Sequence, residues 1–204
     1  MRRLLLTSTG LHNKAFAEFF LEQIGKNVNE IRVIFVPTAA IFDAAREMLP
    51  ACFHDLTDLG ILPEHILIYH LELLLPDTYS SSYMAKRNDV APMFRLLSEM
   101  EMKEFDAIYF CGGNPAHLLN EINRTGFANI LKLAVENGLF YIGVSAGSII
   151  AAGNLPNNLG YMGNELSVHC GSGSPNGKVS NSDKISLSDL QGIWIHGKDS
   201  QIID

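Results

Sequence analysis

Apolar runs rich in β-branched residues alternate along this chain with segments whose apolar positions recur at helical spacing, the pattern of a parallel sheet flanked by helices. Arg3 to Thr7 opens as a strand. Ala15, Phe16, Phe19, Phe20 and Ile24 then follow a helical period before Gly25, a helix stop signal. Ile31 to Val36 is continuously apolar, as in a strand covered on both faces, and Pro37-Thr38 ends it. Phe42 to Leu59 predicts a helix bent near Pro50, and Glu64 to Leu71 a third strand. Pro76 to Asn88, with Tyr79-Ser80-Ser81-Ser82-Tyr83 inside it, has no period and predicts an exposed loop or lid.

The second half continues the alternation and then loses it. Val90 to Lys103 predicts a helix, Ala107 to Cys111 a strand, Ala116 to Ile122 a helix after Pro115, and Phe127 to Glu136 another helix. Leu139 to Ile142 leads as a strand into Gly143-Val144-Ser145-Ala146-Gly147-Ser148, and Ile149 to Ala152 can start a helix behind it. Gly153 to Ser182 is rich in Gly, Asn and Ser and predicts loop with one short strand near Leu166 to Val168. Ile185 to Leu187, Gly192 to Ile195 and Ile202 to Ile203 alternate as short, antiparallel terminal strands around a turn at Gly197-Lys198-Asp199.

Composition narrows the function. The 204 residues suit one α/β domain, 1–204, and the 47% apolar and 18% charged content is that of a globular protein. A formal charge of −7 supplies no attraction for nucleic acid or an anionic membrane. No apolar run reaches the roughly 18 residues of a membrane span. Met1-Arg2-Arg3 and Leu4-Leu5-Leu6 start like a signal peptide, but Thr7-Ser8-Thr9-Gly10 ends the run early, so a cytoplasmic location is expected. Cys52, Cys111 and Cys170 lack CxxC spacing, and His12, His54, His65, His70 and His117 lack HxH or HExxH spacing. Neither disulfide framework nor metal site is expected.

The stretch with chemical content is Gly143 to Ser148. A small-x-Ser-x-small run between strand and helix either presents a strained, exposed nucleophile or merely caps a helix with its serine. A serine nucleophile needs a base, an acid to orient that base, and donors for an oxyanion. Downstream of Ser145 the histidines are His169 and His196, and the acids include Glu165, Asp183, Asp189 and Asp199. Cys111-Gly112-Gly113-Asn114 follows a neighbouring strand, so the Gly113 and Ala146 N–H groups form a natural oxyanion pair at the sheet's carboxyl edge. The same turn alone is also consistent with a simple tight turn.

Thr7-Ser8, Phe35-Val36-Pro37-Thr38-Ala39, Gly112-Gly113-Asn114 and Gly143 to Ser148, in this order and spacing, resemble the S51 serine peptidases, the group that includes dipeptidase E and to which cyanophycinase is related. The resemblance implies a flavodoxin-like α/β fold of the class I glutamine amidotransferase type, mostly parallel with helices on both faces and a short C-terminal β-hairpin. It implies hydrolysis of small peptides, typically dipeptides with an N-terminal aspartate, without metal or other cofactor. Carried onto this chain, it makes Ser145 the nucleophile, His169 the base, Asp189 the orienting acid, Gly113 and Ala146 the oxyanion donors, and Asn114 a substrate contact. The partners expected are a small peptide and a second copy of the chain, with no nucleic acid and no membrane. The 153–184 region is shortened relative to dipeptidase E and contains no arginine, so a cation for an aspartate substrate would have to be Lys178, Lys184, Arg46 or Arg87. The competing enzyme reading takes Ser145, Asp183 or Asp189, and His196 in the α/β-hydrolase order. A binding protein without turnover and a cyanophycinase-like activity are the further alternatives.

Overall fold

A computed structural model describes residues 1–74, 91–180 and 183–204. The loop or lid expected at 76–88, and Arg87 within it, lie outside them. Among the described residues the main sheet has eight strands, and five parallel ones make up one side of it from the edge strand inward: β3 (Ile66–Ile68), β2 (Val33–Val36), β4 (Ala107–Phe110), β5 (Phe140–Val144) and β1 (Arg3–Thr7), in that spatial order. Beyond β1 the sheet turns antiparallel through β9 (Gly192–His196), β10 (Asp199–Ile203) and β7 (Gly177–Lys178). β9 and β10 form the expected C-terminal hairpin.

Successive side chains of a strand point to opposite faces, and here both faces are covered. Leu4, Leu6, Ile108, Phe110 and Tyr141 belong to one core, with Ile122 of α5 (Pro115–Arg124) and Leu131 of α6 (Phe127–Glu136). Leu5, Tyr109, Phe140 and Ile142 belong to the other, with Phe16 and Phe20 of α1 (Lys14–Ile24). That two-sided burial explains why the strands read as unbroken apolar runs. The remaining helices are α2 (Asp43–Glu47), α3 (Leu49–Thr57), α4 (Glu99–Met102) and α7 (Ala146–Ile149).

Four expectations change. The helix predicted over 42–59 is two helices, α2 and α3, which meet at Met48 with Pro50 in the first turn of α3, where a missing N–H costs nothing. The third strand shrinks to Ile66–Ile68, flanked by 3-10 turns at Pro63–His65 and Leu71–Leu73. The described part of the helix predicted over 90–103 is a 3-10 turn, Pro92–Phe94, followed by α4. Extended backbone at Arg95 separates them, and Ser98 starts α4 afresh through a reciprocal capping box with Glu101. Finally, β8 (Ile185–Ser186) is not antiparallel to its neighbours: it pairs parallel with β6 (Leu166–Ser167) in a separate two-stranded sheet.

Among the described residues, no helix is long and apolar enough to cross a membrane, and no group of three or more His, Cys, Asp or Glu side chains is placed to hold a metal ion.

Candidate active site

All five parallel strands end at the same edge of the sheet, where α/β folds bind ligands. The turn after β5 is the sharpest point on that edge. Ser145 stands there at φ 48°, ψ −101°, a conformation costly for a residue with a side chain. The chain must reverse within two residues from β5 into α7, which brings backbone against backbone. A Cβ on Gly143 would lie 2.8 Å from the Gly147 carbonyl, and one on Gly147 would lie 2.7 Å from Phe110 O. Hence both flanking positions are glycine. Ser145 N–H donates to Thr7 O at 2.9 Å, and the buried Ser148 hydroxyl accepts from Thr7 N–H at 2.9 Å while lying 2.8 Å from Thr7 O and Gly143 O. These contacts lock the strained serine to β1.

The turn after β4 lies against this elbow. A Cβ on Gly112 would stand 3.4 Å from Ser145 Cβ and 3.9 Å from its Oγ. Gly113 has φ 139°, and a Cβ there would meet Ala39 O at 2.1 Å, so the Gly112-Gly113 peptide sits tightly under the turn after β2. No described residue accepts from the N–H of Gly113 or of Ala146. Among the described residues, both donors are thus without an acceptor. Asn114, expected to touch substrate, instead caps α5: its side-chain oxygen accepts from His117 N–H at 2.9 Å, and it is absent from the cavity lining.

His169 and Asp189 come together through the two-stranded sheet. β6 and β8 run parallel with Ser167 opposite Ser186, so the residues just past each strand emerge side by side. His169 Nδ1 and Asp189 Oδ1 lie 2.8 Å apart. The main chain on both sides is tied to the loop after β1: His169 N–H donates to Ser8 Oγ at 3.1 Å, and Thr9 Oγ1 donates to Asp189 O at 2.9 Å. With Nδ1–H turned to the carboxylate, Nε2 is left as the basic nitrogen. Among the described residues no hydrogen bond joins His169 to Ser145 Oγ, although both line one cavity; such bonds commonly tighten only when substrate binds.

That cavity has a volume of about 410 Å³ and is framed by the loop after β1, the Gly112-Gly113 turn, Ser145, His169 and one face of α2 and α3. The α2–α3 wall, with Phe42, Met48, Leu49, Cys52 and Asp55, is the part sequence reasoning missed. Its one signal was an acid, Asp55, three residues after Cys52 on the inward stripe that also carries Leu49 and Leu56. Asp55 Oδ2 accepts from Tyr109 OH at 2.7 Å and from Leu11 N–H at 3.1 Å, and burial raises its carboxyl above the ordinary range. Burial likewise pushes the Cys111 thiol well up, whereas a hydrogen bond from Cys111 lowers that of Cys52.

The α/β-hydrolase order fails on placement. His196 pairs with Arg3 at the opposite end of β1 from the elbow, stacks on Trp194 at 5.8 Å and lines a different cavity. Asp183 accepts from Ser180 N–H at 2.8 Å and is likewise no part of the Ser145 cavity. None of the described candidate cations lines this cavity: Lys178 pairs with Asp199, Lys184 with Glu165, and Arg46, on α2 beside the lining residue Ala45, with Asp43.

The family model described as peptidase family S51 matches residues 91–164. An uncharacterized peptidase of Pasteurella multocida is 30% identical over 158 residues, covering 76% of this chain and 62% of that protein. Peptidase E of Streptomyces coelicolor is 44% identical over 54 residues, covering 26% of this chain and 22% of that protein. The chain thus spans less than two thirds of the length of these curated relatives. The crystal structure of a putative peptidase E protein from Listeria monocytogenes superposes with a TM-score of 0.67 at 22% identity, over 100% of this chain and 98% of that one, and shows the shared fold.

Proposed function

We propose that this chain, which is related to peptidase family S51, is a serine peptidase that hydrolyses small peptides, dipeptides foremost, through an acyl-enzyme on Ser145. One observation carries the reading: the strained Ser145 shares a cavity with a histidine whose Nδ1 lies 2.8 Å from a carboxylate.

The roles follow from chemistry. Ser145 Oγ attacks the scissile carbonyl as His169 Nε2 removes its proton. Asp189 keeps the imidazole in the required tautomer and stabilises the imidazolium. The Gly113 and Ala146 N–H groups receive the developing oxyanion, and His169 returns the proton to the leaving amine. Water then repeats the sequence on the acyl-enzyme. The two oxyanion donors are main-chain groups at the ends of sheet strands, so they are in place before charge develops.

Labelling with a fluorophosphonate and turnover of a dipeptide panel test this. Wild type is expected to label at Ser145 and to turn over, while Ser145→Ala and His169→Ala lose activity on the order of 10⁴-fold or more. His196→Ala should retain activity. Absence of both labelling and turnover in wild type would make the chain a binding protein, and loss in His196→Ala with retention in His169→Ala would displace His169 as the base.

A further inference from the structure

The cavity beside Ser145 has a charge pattern of its own. Its α2–α3 wall is apolar at Phe42, Ala45, Met48 and Leu49, and among the described lining residues one carboxyl, Asp55, stands with these groups. Asp55 is held in place: Tyr109 OH and Leu11 N–H both donate to its Oδ2. It is also close to the nucleophile's strand, since a Cβ on Gly10 would lie 2.8 Å from Asp55 Oδ2 and 3.0 Å from Cγ2 of Val144, the residue before Ser145. Neither lysine nor arginine is found among the described residues that line the cavity; of those residues His12 is the one whose positive charge would act on Asp55, while the neutral Tyr109 hydroxyl and the Cys52 thiol are further titratable neighbours.

A carboxylate taken partly out of water is stabilised by a cation placed against it, and an apolar wall favours an uncharged stem leading to that cation. An aspartate side chain in the same space would meet like charge. We propose that Asp55 is the specificity-determining residue of this site, and that it receives a positively charged group carried by the first residue of the substrate.

The α-ammonium of a dipeptide and the ε-ammonium of a lysine-type side chain share this chemistry, and matched pairs separate them. Leu-Leu against N-acetyl-Leu-Leu varies the α-ammonium alone. Lys-Leu against norleucyl-Leu varies the side-chain charge on the same stem. The inference rests on the peptidase reading for its setting, so the pairs are measured twice: as kcat/KM with wild type, and as binding to Ser145→Ala by calorimetry.

The expected result is a roughly ten- to hundredfold preference for the charged member of at least one pair, the size of one charge-assisted hydrogen bond, with Asp-Leu the poorest substrate. In Asp55→Asn, which keeps an acceptor for Tyr109 and Leu11, that preference should collapse through KM while fluorophosphonate labelling of Ser145 persists. Should Asp55→Asn not fold, Ala45→Lys, which puts a cation on the same wall, is expected to reduce the preference and raise activity on Asp-Leu. Labelling and turnover without preference in either pair, preference retained in Asp55→Asn, or Asp-Leu as the best substrate overturns the role of Asp55 and leaves the peptidase reading standing. Selective binding to Ser145→Ala without turnover by wild type sustains Asp55 and overturns the peptidase reading. No binding and no turnover of any member overturns both.

Discussion

His169 and Asp189, 20 residues apart in sequence, lie 2.8 Å apart because β6 and β8 deliver them from parallel, in-register strands of only two residues each. Both side chains are at least half exposed, so the contact contributes little to stability. Its consequence is orientation of the imidazole. Asp189→Asn should therefore leave the unfolding midpoint nearly unchanged while lowering kcat by about 10³- to 10⁴-fold, as expected when a base loses its tautomer-fixing carboxylate. Denaturation curves and steady-state rates on the same preparations check both halves.

The elbow depends on a different pair. Ser148 Oγ accepts from Thr7 N–H across 141 residues of sequence and also contacts two carbonyl oxygens, in a position with no solvent exposure. Ser148→Ala leaves the Thr7 N–H without its acceptor at the point where Ser145 is held, while the two carbonyls keep the Ser145 N–H and the Thr7 hydroxyl as donors. A loss of about 1–3 kcal/mol in chemical denaturation is expected, together with a fall in the rate of fluorophosphonate labelling.

The glycines of the elbow respond to added volume rather than to polarity. Gly143→Ala and Gly147→Ala each place a methyl within 2.8 Å of main-chain atoms that cannot move independently of the sheet. Each should destabilise by more than about 2 kcal/mol or prevent soluble expression. Gly138→Ala, where a Cβ would meet nothing within 4 Å but the backbone has φ 110°, should cost less, so thermal melts of the three variants separate crowding from backbone strain.

Acid sensitivity has a clear site at the far side of the fold. Arg95 grips Glu101 with two hydrogen bonds, at 2.9 and 2.6 Å, and this pairing, against burial and aided by Ser98, lowers the Glu101 carboxyl from the ordinary 4.5 to about 2. Between those values the unfolded chain binds more protons than the native state. The stabilisation is therefore complete above pH 4.5 and is lost as pH falls toward 2. Glu101→Gln should be less stable than wild type at pH 7, and the difference should shrink in that acid window when unfolding is followed by circular dichroism.

Much of this molecule is legible in one dimension because the signals are local. A strand buried on both faces must be apolar throughout, which marks β1, β2, β4 and β5. A helix on one face of the sheet must repeat every three to four residues, which marks α1, α5 and α6. The elbow is readable for the same reason: a strand-to-helix reversal around a side-chain-bearing residue needs small neighbours on both sides, and Gly143 and Gly147 are those neighbours.

The tertiary structure decided what depends on contacts between distant segments. The sequence marks β6 and β8 as short strands and the resemblance names His169 and Asp189 together, but the parallel pairing of those strands, which puts the two side chains in contact while His196 is carried to the opposite end of β1, belongs to the tertiary structure. Asn114, which the resemblance makes a substrate contact, is taken as the cap of α5 once that helix starts behind it. Asp55 reads as one acid on a helix until α3 packs beside Tyr109 and the loop after β1. Local sequence determined which backbone conformations are affordable, and so where a nucleophile can stand. Which groups surround that nucleophile is a property of packing between segments far apart in the chain, and no spacing within either segment encodes it.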